Sequence, residues 1–282
     1  MTRPATAGPL TIGDARVTPV LDSVGPFFRP LQEAFPTMDD EVLAAAIRLD
    51  PPRAEPGLDG TWHVVFRAFL IEVGDLVVLV DTGAGSDTAV RRFWAPLADH
   101  LADRLPSVAG VMRDQVTHVV LTHLHADHTA GSVDADGRPA FPHAQYLVQA
   151  EELAALAASG PDGSLWHALV EPLMSSEQLR ACHGDVELVP GPASVTLVPT
   201  PGHTPGHQSV VVESGGRSAV LAGDVFLHAA QLVDPACRYL FDDDDEVAEA
   251  TRRRLLEWLR VGDVCLGTAH LGEAFVRGAA LT

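Results

Sequence analysis

Histidine and aspartate side chains are concentrated in residues 116–131, which read VTHVVLTHLHADHTAG. The stretch opens with β-branched and aliphatic residues, which predict a short buried strand. It then brings together, within six residues, His123, His125, Asp127 and His128. Histidines at positions i and i+2 of an extended loop point to the same side, so two imidazoles can reach one metal ion. Chance clustering of this kind after an apolar strand is rare, and the pattern therefore favours a metal site over a solvated polar loop.

Read as HxHxDH, this motif resembles the metal-binding signature of the metallo-β-lactamase-fold hydrolases. Three later motifs stand in the order that this family shows, namely TPGHTPGH at 200–207, AGD at 222–224 and GTAHLG at 267–272. They supply His203, Asp224 and His270. The resemblance covers the chain from the DTG at 81–83 to His270, and every ligand position of the family is filled.

The resemblance implies a centre with two metal ions. By the family's pattern, one ion is held by His123, His125 and His203, the other is held by Asp127, His128 and His270, and Asp224 bridges the two. Two divalent ions about 3.5–4 Å apart share a water, lower its pKa towards 7 and hold a hydroxide ready to attack. Asp127 is also a candidate to pass a proton to the leaving group. Imidazole and carboxylate ligands suit zinc, and also iron, manganese and cobalt, and we expect two zinc ions per chain.

Two other residues of these motifs have supporting roles. In the resembled family the aspartate of the DTG, here Asp81, orders the histidine loop, and an aspartate that makes a local turn is the alternative. His207 ends the TPGHTPGH motif, and we expect it to be a structural partner of the sheet.

Strands and helices alternate around these motifs. HVVFRAFLIEVG and DLVVLVDTGAG predict two adjacent strands joined by a turn at Gly74-Asp75. An amphipathic helix is predicted over 87–105, and a strand at 144–148 precedes an Ala/Leu-rich helix. Four short strands follow, and the acidic run Asp242–Glu246 is interpreted as the start of the last long helix. The last strand presents His270.

These elements predict an α/β chain. Two strand-rich halves, each with helices, make an αββα sandwich of two mixed β-sheets flanked by helices, which the resemblance also implies. We interpret residues 1–282 as one domain. Residues 161–183 look like an insertion, which either forms a wall of the pocket or packs against the sheet.

Residues 1–61 are interpreted as an N-terminal extension of that domain. They contain prolines at intervals and one helical stretch, Asp39–Leu49. Phe27, Phe28 and Phe35 lie in the irregular part before this helix. A packed edge is favoured for these aromatic side chains, and a lid over the substrate is the alternative.

Charge and composition restrict the partners. The net charge of −19 disfavours nucleic acid, anionic membranes and strongly anionic substrates. No stretch reaches the ~20 apolar residues of a membrane span, and the start lacks the pattern of a signal peptide, so a cytoplasmic location is expected. Cys182, Cys237 and Cys265 are expected to be reduced thiols. We expect a small-molecule substrate, and a homodimer is one candidate assembly.

The stretch GDVFLHAAQLVDP at 223–235 resembles most closely the quorum-quenching lactonase and organophosphate (methyl parathion) hydrolase branches. Lactonases of this kind carry a tyrosine three residues after the bridging aspartate, to steady the carbonyl oxygen. Here that position is Leu227, and His228 follows. His228 is therefore a candidate catalytic donor to the developing oxyanion, with a packing role as the alternative.

The resulting functional hypothesis is a dinuclear hydrolase that opens a lactone or ester of a small, fairly apolar molecule. The apolar preference depends on the candidate pocket walls Phe27, Phe28, Leu227 and residues 165–174. Hydrolysis of a β-lactam, thioester or phosphotriester remains an alternative. A rival from another class is a persulfide dioxygenase with one iron, whose ligands would be His123, His203 and Asp224.

Overall fold

The computed structural model describes residues 8–85, 100–159, 165–189 and 191–278. Within these residues a seven-stranded sheet runs in the spatial order β1 to β7, and its strands are β1 (Leu10–Ile12), β2 (Ala15–Pro30), β3 (Thr61–Val73), β4 (Leu76–Val80), β5 (His118–Val120), β6 (Gln145–Gln149) and β7 (Leu179–Cys182). Neighbours from β1 to β4 pair antiparallel, and those from β4 to β7 pair parallel.

The second sheet has six strands in the order β13-β12-β11-β10-β9-β8, and these are β8 (Val186–Val189), β9 (Ala193–Pro199), β10 (Gln208–Ser214), β11 (Arg217–Leu221), β12 (Val264–Gly267) and β13 (Phe275–Arg277). Only the β11–β12 pair of this sheet is parallel. Both sheets are therefore mixed.

The α-helices among the described residues are α1 (Leu31–Ala34), α2 (Asp40–Leu49), α3 (Pro51–Ala54), α4 (Leu101–Ala109), α5 (Ala126–Thr129), α6 (Ala150–Ala158), α7 (Glu171–Ser175), α8 (Ala230–Val233) and α9 (Asp245–Val261). None of the helices in the described ranges is long and apolar enough to cross a membrane.

Apolar side chains on both faces of the sheets build the layers. Along β3, Phe69 and Ile71 face the second sheet, whereas Ala68 and Leu70 face a helical layer that includes Leu101 of α4. This alternation follows from the two-residue period of a strand. Helix α9 covers the far side of the second sheet with Leu255, Leu256 and Leu259. The predicted αββα sandwich is thus confirmed.

The N-terminal segment differs from its irregular interpretation. Strand β2 pairs with β3 from Arg16 opposite Glu72 to Pro30 opposite Thr61, although it contains prolines. Prolines are tolerated there because an extended backbone suits their fixed φ, and a register shift between Pro26 and Pro30 absorbs one irregularity. Helix α2 is confirmed, and its cap is the Asp39 side chain, which accepts a hydrogen bond from the Val42 amide.

Other local predictions have mixed outcomes. Residues 87–99 of the predicted helix over 87–105 lie outside the described residues, and α4 begins at Leu101. The insertion packs against the first sheet, because Leu169 and Leu173 are buried in its helical layer. The acidic run does start the last helix, and Asp244 caps it by accepting from the Val247 amide.

Candidate metal centre

The seven candidate ligands reach one edge of the sandwich from separate connections. The histidine motif follows β5, Asp224 follows β11 and His270 follows β12, while His203 lies between β9 and β10. The carboxyl ends of parallel strands open at one edge of a sheet, so these loops meet. The ligand atoms fall into two groups, each within 4.8 Å, which are His123, His125, His203 and Asp224, and Asp127, His128 and His270.

The first group has the spacing of a coordination shell. His125 Nδ1 lies 3.0 Å from His123 Nε2 and 3.0 Å from His203 Nε2. Asp224 Oδ2 lies 3.3 Å from His203 Nε2 and 3.7 Å from His123 Nε2. Around a tetrahedral zinc, with bonds of about 2.0–2.1 Å, ligand atoms stand roughly 3.3 Å apart. The four donors match that spacing.

The second group shares Asp224 with the first. Asp224 Oδ1 lies 2.9 Å from His270 Nε2 and 3.1 Å from His128 Nε2. The two Nε2 atoms are 3.3 Å apart, and Asp127 Oδ2 is 3.4 Å from His128 Nε2. Asp224 therefore presents one carboxylate oxygen to each group.

The outer nitrogens of three rings define which atoms face the centre. His128 Nδ1 donates to Asp81 Oδ2 at 2.7 Å, His203 Nδ1 donates to Asp242 Oδ1 at 3.0 Å, and His270 Nδ1 donates to the Val65 carbonyl at 2.8 Å. The Nε2 atoms of His128 and His270 therefore face Asp224 Oδ1, which is buried and accepts no hydrogen bond of normal geometry, and the Nε2 atom of His203 faces Asp224 Oδ2. Imidazole nitrogens and carboxylate oxygens that converge in this way fit a cation, which would take the place of any proton shared between them.

The electrostatics favour positive charge at this point. Burial alone would lower the pKa of His128, but Asp224, Asp127 and Asp81 outweigh it and hold that pKa well above its usual value. Burial, together with its histidine neighbours, keeps the pKa of His123 well below the usual value, so this imidazole is neutral and can bind a metal.

Asp81 orders the histidine loop. Its Oδ1 accepts from the Thr122 amide at 2.8 Å, and its Oδ2 holds His128. The residue has a φ of 62°, a left-handed conformation that is strained for a side chain other than glycine. The buried hydrogen bonds of the Asp81 side chain compensate for this backbone strain. A local turn alone would not require those bonds, so the role of Asp81 is to order the histidine loop.

His207 is a support and not a ligand. Its Nδ1 lies 2.8 Å from Thr200 Oγ1, and its Nε2 accepts from the Asp224 amide at 3.0 Å. Burial lowers the pKa of His207 to about 3, which keeps the ring neutral and Nε2 an acceptor. His207 thus holds the backbone of Asp224, as expected.

Sequence reasoning missed several buried charges around the centre. Glu152 accepts from the amides of Leu124 and Gly206, at 2.9 and 3.0 Å, and ties two ligand loops together. Asp242, which was interpreted only as part of a helix start, holds His203 and is paired with Arg252 at 3.0 Å. The burial of Arg252 could have been predicted from the sequence, because the helical period places it on the same face as the buried Leu255 and Leu259 of α9.

Arg67 supports the loop that carries His270. Its guanidinium donates to the carbonyls of Thr268, Leu271 and Gly272 at 2.7, 3.1 and 3.1 Å. Asp50, at the end of α2, accepts from the Gly272 amide at 2.8 Å. The N-terminal segment is therefore connected to a ligand loop.

A cavity of about 260 Å³ opens onto the candidate ligands. Besides five of these ligands, it is lined by Phe27, Phe28, Trp62, Val64, Phe66, Ala126, Leu227, Tyr239 and Phe241. Phe27, Phe28 and Leu227 were predicted as walls, and Trp62, Tyr239 and Phe241 were not. Residues 165–174 were a wrong prediction, because the described lining does not include them.

His228 does not reach this cavity, which corrects its predicted catalytic role. Its Nε2 donates to the Ala54 carbonyl at 3.1 Å, and its Nδ1 accepts from the Ala230 amide at 3.1 Å. The ring packs between Phe35 and Trp62, with centroid distances of 5.2 and 5.8 Å. Both nitrogens are committed to backbone groups, so the packing alternative describes His228.

Comparison with known proteins identifies the family. Residues 67–267 match the Metallo-beta-lactamase superfamily. The chain is 30% identical over 201 residues to a "Probable metallo-hydrolase" of Mycobacterium tuberculosis, a match that covers 59% of this chain and 58% of that one. It is 33% identical over 166 residues to an N-acyl homoserine lactonase of a Bacillus species, covering 54% of this chain and 60% of that one. The match thus spans less than two thirds of either relative.

Solved structures share the fold at low identity. A quorum-quenching dizinc lactonase, AidC, superposes with a TM-score of 0.74 at 20% identity, covering 95% of this chain and 91% of that one. The hydrolase AbOPH superposes with a TM-score of 0.75 at 21% identity, covering 95% of this chain and 94% of that one. At these identities the likeness establishes the fold only.

Proposed function

The chain belongs to the metallo-β-lactamase superfamily of metal-dependent hydrolases, and on that premise we propose that it is a dinuclear hydrolase that opens a lactone or ester of a small, fairly apolar molecule. One observation carries the proposal, namely that Asp224 directs one carboxylate oxygen at each of two donor groups. A single ion would leave the second group, with two converging Nε2 atoms, without a cation.

The seven side chains would hold two divalent ions, and zinc suits their imidazole and carboxylate donors. Such ions supply Lewis acidity and a nucleophile at neutral pH. The chain's own part is to orient the donors, through Asp81 and Asp242, and to move a proton. Asp127 lines the cavity and its side chain is 17% exposed, so its carboxylate can take up the proton that the attacking water releases and pass it to the leaving oxygen of the substrate.

The cavity walls support an apolar substrate. Phe27 stacks on Phe28 and on Trp62, with centroid distances of 4.3 and 4.8 Å, and Phe28 contacts Phe241 at 5.3 Å. The described lining contains no lysine or arginine. Aromatic walls without cations favour an acyl or aryl group over an anion. The lactonase activity of the Bacillus relative supports a lactone as the first candidate.

A metal analysis combined with a substrate screen tests the proposal. The zinc-loaded protein is assayed against lactones, aryl esters, thioesters, β-lactams and phosphotriesters. We expect about two zinc ions per chain and the highest kcat/KM for a lactone or ester. A single iron with oxygen uptake would instead identify a dioxygenase. A clear preference for phosphotriesters would refute the proposal that the enzyme cleaves a lactone or carboxylic ester bond.

A further inference from the structure

A hydroxyl group faces the cavity without an assigned role. Apart from the candidate ligands, only Trp62 and Tyr239 among the described lining residues carry a side-chain hydrogen-bond donor. The Tyr239 hydroxyl has no hydrogen-bond partner within the described part of the chain, and Tyr239 is only 5% exposed. The Tyr239 hydroxyl is not among the fully enclosed, unpartnered polar atoms of the described residues, so it opens onto the cavity, where a ligand can accept its hydrogen bond.

Tyr239 lies at the metal end of the cavity. Its ring centroid is 5.9 Å from that of His203, and both Asp224 and Asp127 act electrostatically on its hydroxyl. Phe35 and Phe241 pack against the same ring at 5.3 and 5.4 Å. The Tyr239 ring therefore lies beside the candidate ligand His203.

The segment that carries Tyr239 is held at several points. The Asp242 amide donates to the Tyr239 carbonyl at 3.1 Å, and the Asp242 side chain holds His203. The Leu240 amide donates to the Ala34 carbonyl at 2.9 Å, and the Asp243 amide donates to the His203 carbonyl at 3.1 Å. One short turn thus positions a candidate ligand and this hydroxyl together, which is the preorganisation that stabilises developing charge.

We propose that the Tyr239 hydroxyl donates a hydrogen bond to the electrophilic oxygen of the substrate, the carbonyl oxygen in a lactone or ester. This inference rests on the proposed hydrolase function. The bond strengthens as that oxygen gains negative charge, so Tyr239 acts as a catalytic residue on the transition state. Leu227 offers no donor at the cavity, and the nitrogens of His228 are committed to backbone groups.

Tyr239→Phe tests the inference, because it removes one oxygen and keeps the ring. The chain has a second tyrosine, Tyr146, whose buried hydroxyl donates to the Ser132 carbonyl at 3.0 Å in the first sheet, away from the cavity. Tyr146→Phe is therefore the matched control. With the best lactone or ester of the screen, we expect Tyr239→Phe to lower kcat ~100-fold, the loss typical of one oxyanion donor, with KM and zinc content nearly unchanged. Tyr146→Phe should leave kcat unchanged.

A binding measurement keeps the inference testable without turnover. Phenylphosphonate carries tetrahedral anionic oxygens on an aryl group, and calorimetry gives its Kd for the zinc-loaded proteins. We expect ~10-fold weaker binding to Tyr239→Phe than to the parent and to Tyr146→Phe. Equal affinities, an unchanged kcat, or loss of zinc in Tyr239→Phe would each overturn the inference. If the parent hydrolyses no lactone or ester, the proposed function fails, and the phosphonate affinities alone decide the role of Tyr239.

Discussion

At the scale of single residues, the candidate centre depends on the hydrogen-bond partners of the ring nitrogens that face away from it. Asp81, Asp242 and the Val65 carbonyl each bind the outer nitrogen of a ring. These contacts select the tautomer that directs Nε2 inward, and they make the ring a better donor to a metal. Residues that never touch a metal therefore affect how tightly it is held.

Asp242→Asn should weaken zinc binding. The neutral amide supports His203 less well than the carboxylate, and loss of such a partner typically costs about 10- to 100-fold in metal affinity. A chelator competition titration measures the change. Asp243→Asn, at the exposed neighbouring position, is the control and should retain the parent affinity. Equal affinity in both variants would exclude a role for Asp242.

His228→Asn should flatten the pH dependence of stability and spare turnover. Burial lowers the pKa of His228 to about 4, whereas an unfolded histidine has a pKa near 6.5. Below pH 6.5 His228 is protonated in the unfolded chain but stays neutral in the folded protein. The free energy of unfolding therefore falls as the pH drops towards 4. Between pH 7.5 and pH 5 this amounts to about 2 kcal/mol.

Urea unfolding of both proteins at these two pH values measures the difference. The metal ligands titrate in both, so the difference isolates His228. An identical loss of stability in the parent and in His228→Asn, or a large fall in kcat at pH 7.5, would contradict the buried structural role.

At the scale of elements, the N-terminal segment is built into the sandwich. Strand β2 hydrogen bonds along most of β3, and Phe35 packs against Trp62 at 5.2 Å in the core beneath the cavity. The same segment reaches two ligand loops, through Asp50 at Gly272 and Ala54 at His228. Removing it would expose one side of β3 and release both loops.

Deletion of residues 1–60 should therefore prevent folding, and not merely change substrate affinity. We expect loss of the cooperative thermal transition, followed by circular dichroism. A chain that lacks only residues 1–9, upstream of β1, should keep that transition. A folded deletion protein with an altered KM would instead support a separable lid.

At the scale of the whole molecule, the candidate ligands join the two sheets. The histidine motif follows a strand of the first sheet, whereas Asp224 and His270 follow strands of the second. Bound ions would therefore cross-link the two halves of the sandwich, and stability would depend on the metal.

Chelation should lower the melting temperature, and zinc should restore it. Free zinc at 100 times its Kd adds about 2.7 kcal/mol per site, which corresponds to roughly 5–10 °C for a chain of this size. Calorimetry with and without zinc measures the shift, and magnesium at the same concentration serves as the control. A melting temperature that is independent of zinc would refute the two-metal proposal.

The sequence by itself determined the elements and motifs that local physics governs. The apolar run of β5, the dense histidine motif behind it and the period of α9 all follow from neighbours in the chain, so they could be predicted. The apolar segments of β3 and β4 likewise predicted two adjacent strands joined by the turn at Gly74-Asp75.

Tertiary structure decided the roles that depend on partners far along the chain. Strand β2 is extended because β3 pairs with it, and Asp242 leaves the helix start because His203 lies beside it. His228 hydrogen bonds to the Ala54 carbonyl and does not line the cavity, whereas Tyr239 does. Local sequence patterns indicate which residues are buried. The hydrogen-bond partner of a buried polar group, however, is set by long-range packing. These roles could therefore be found only in the folded chain.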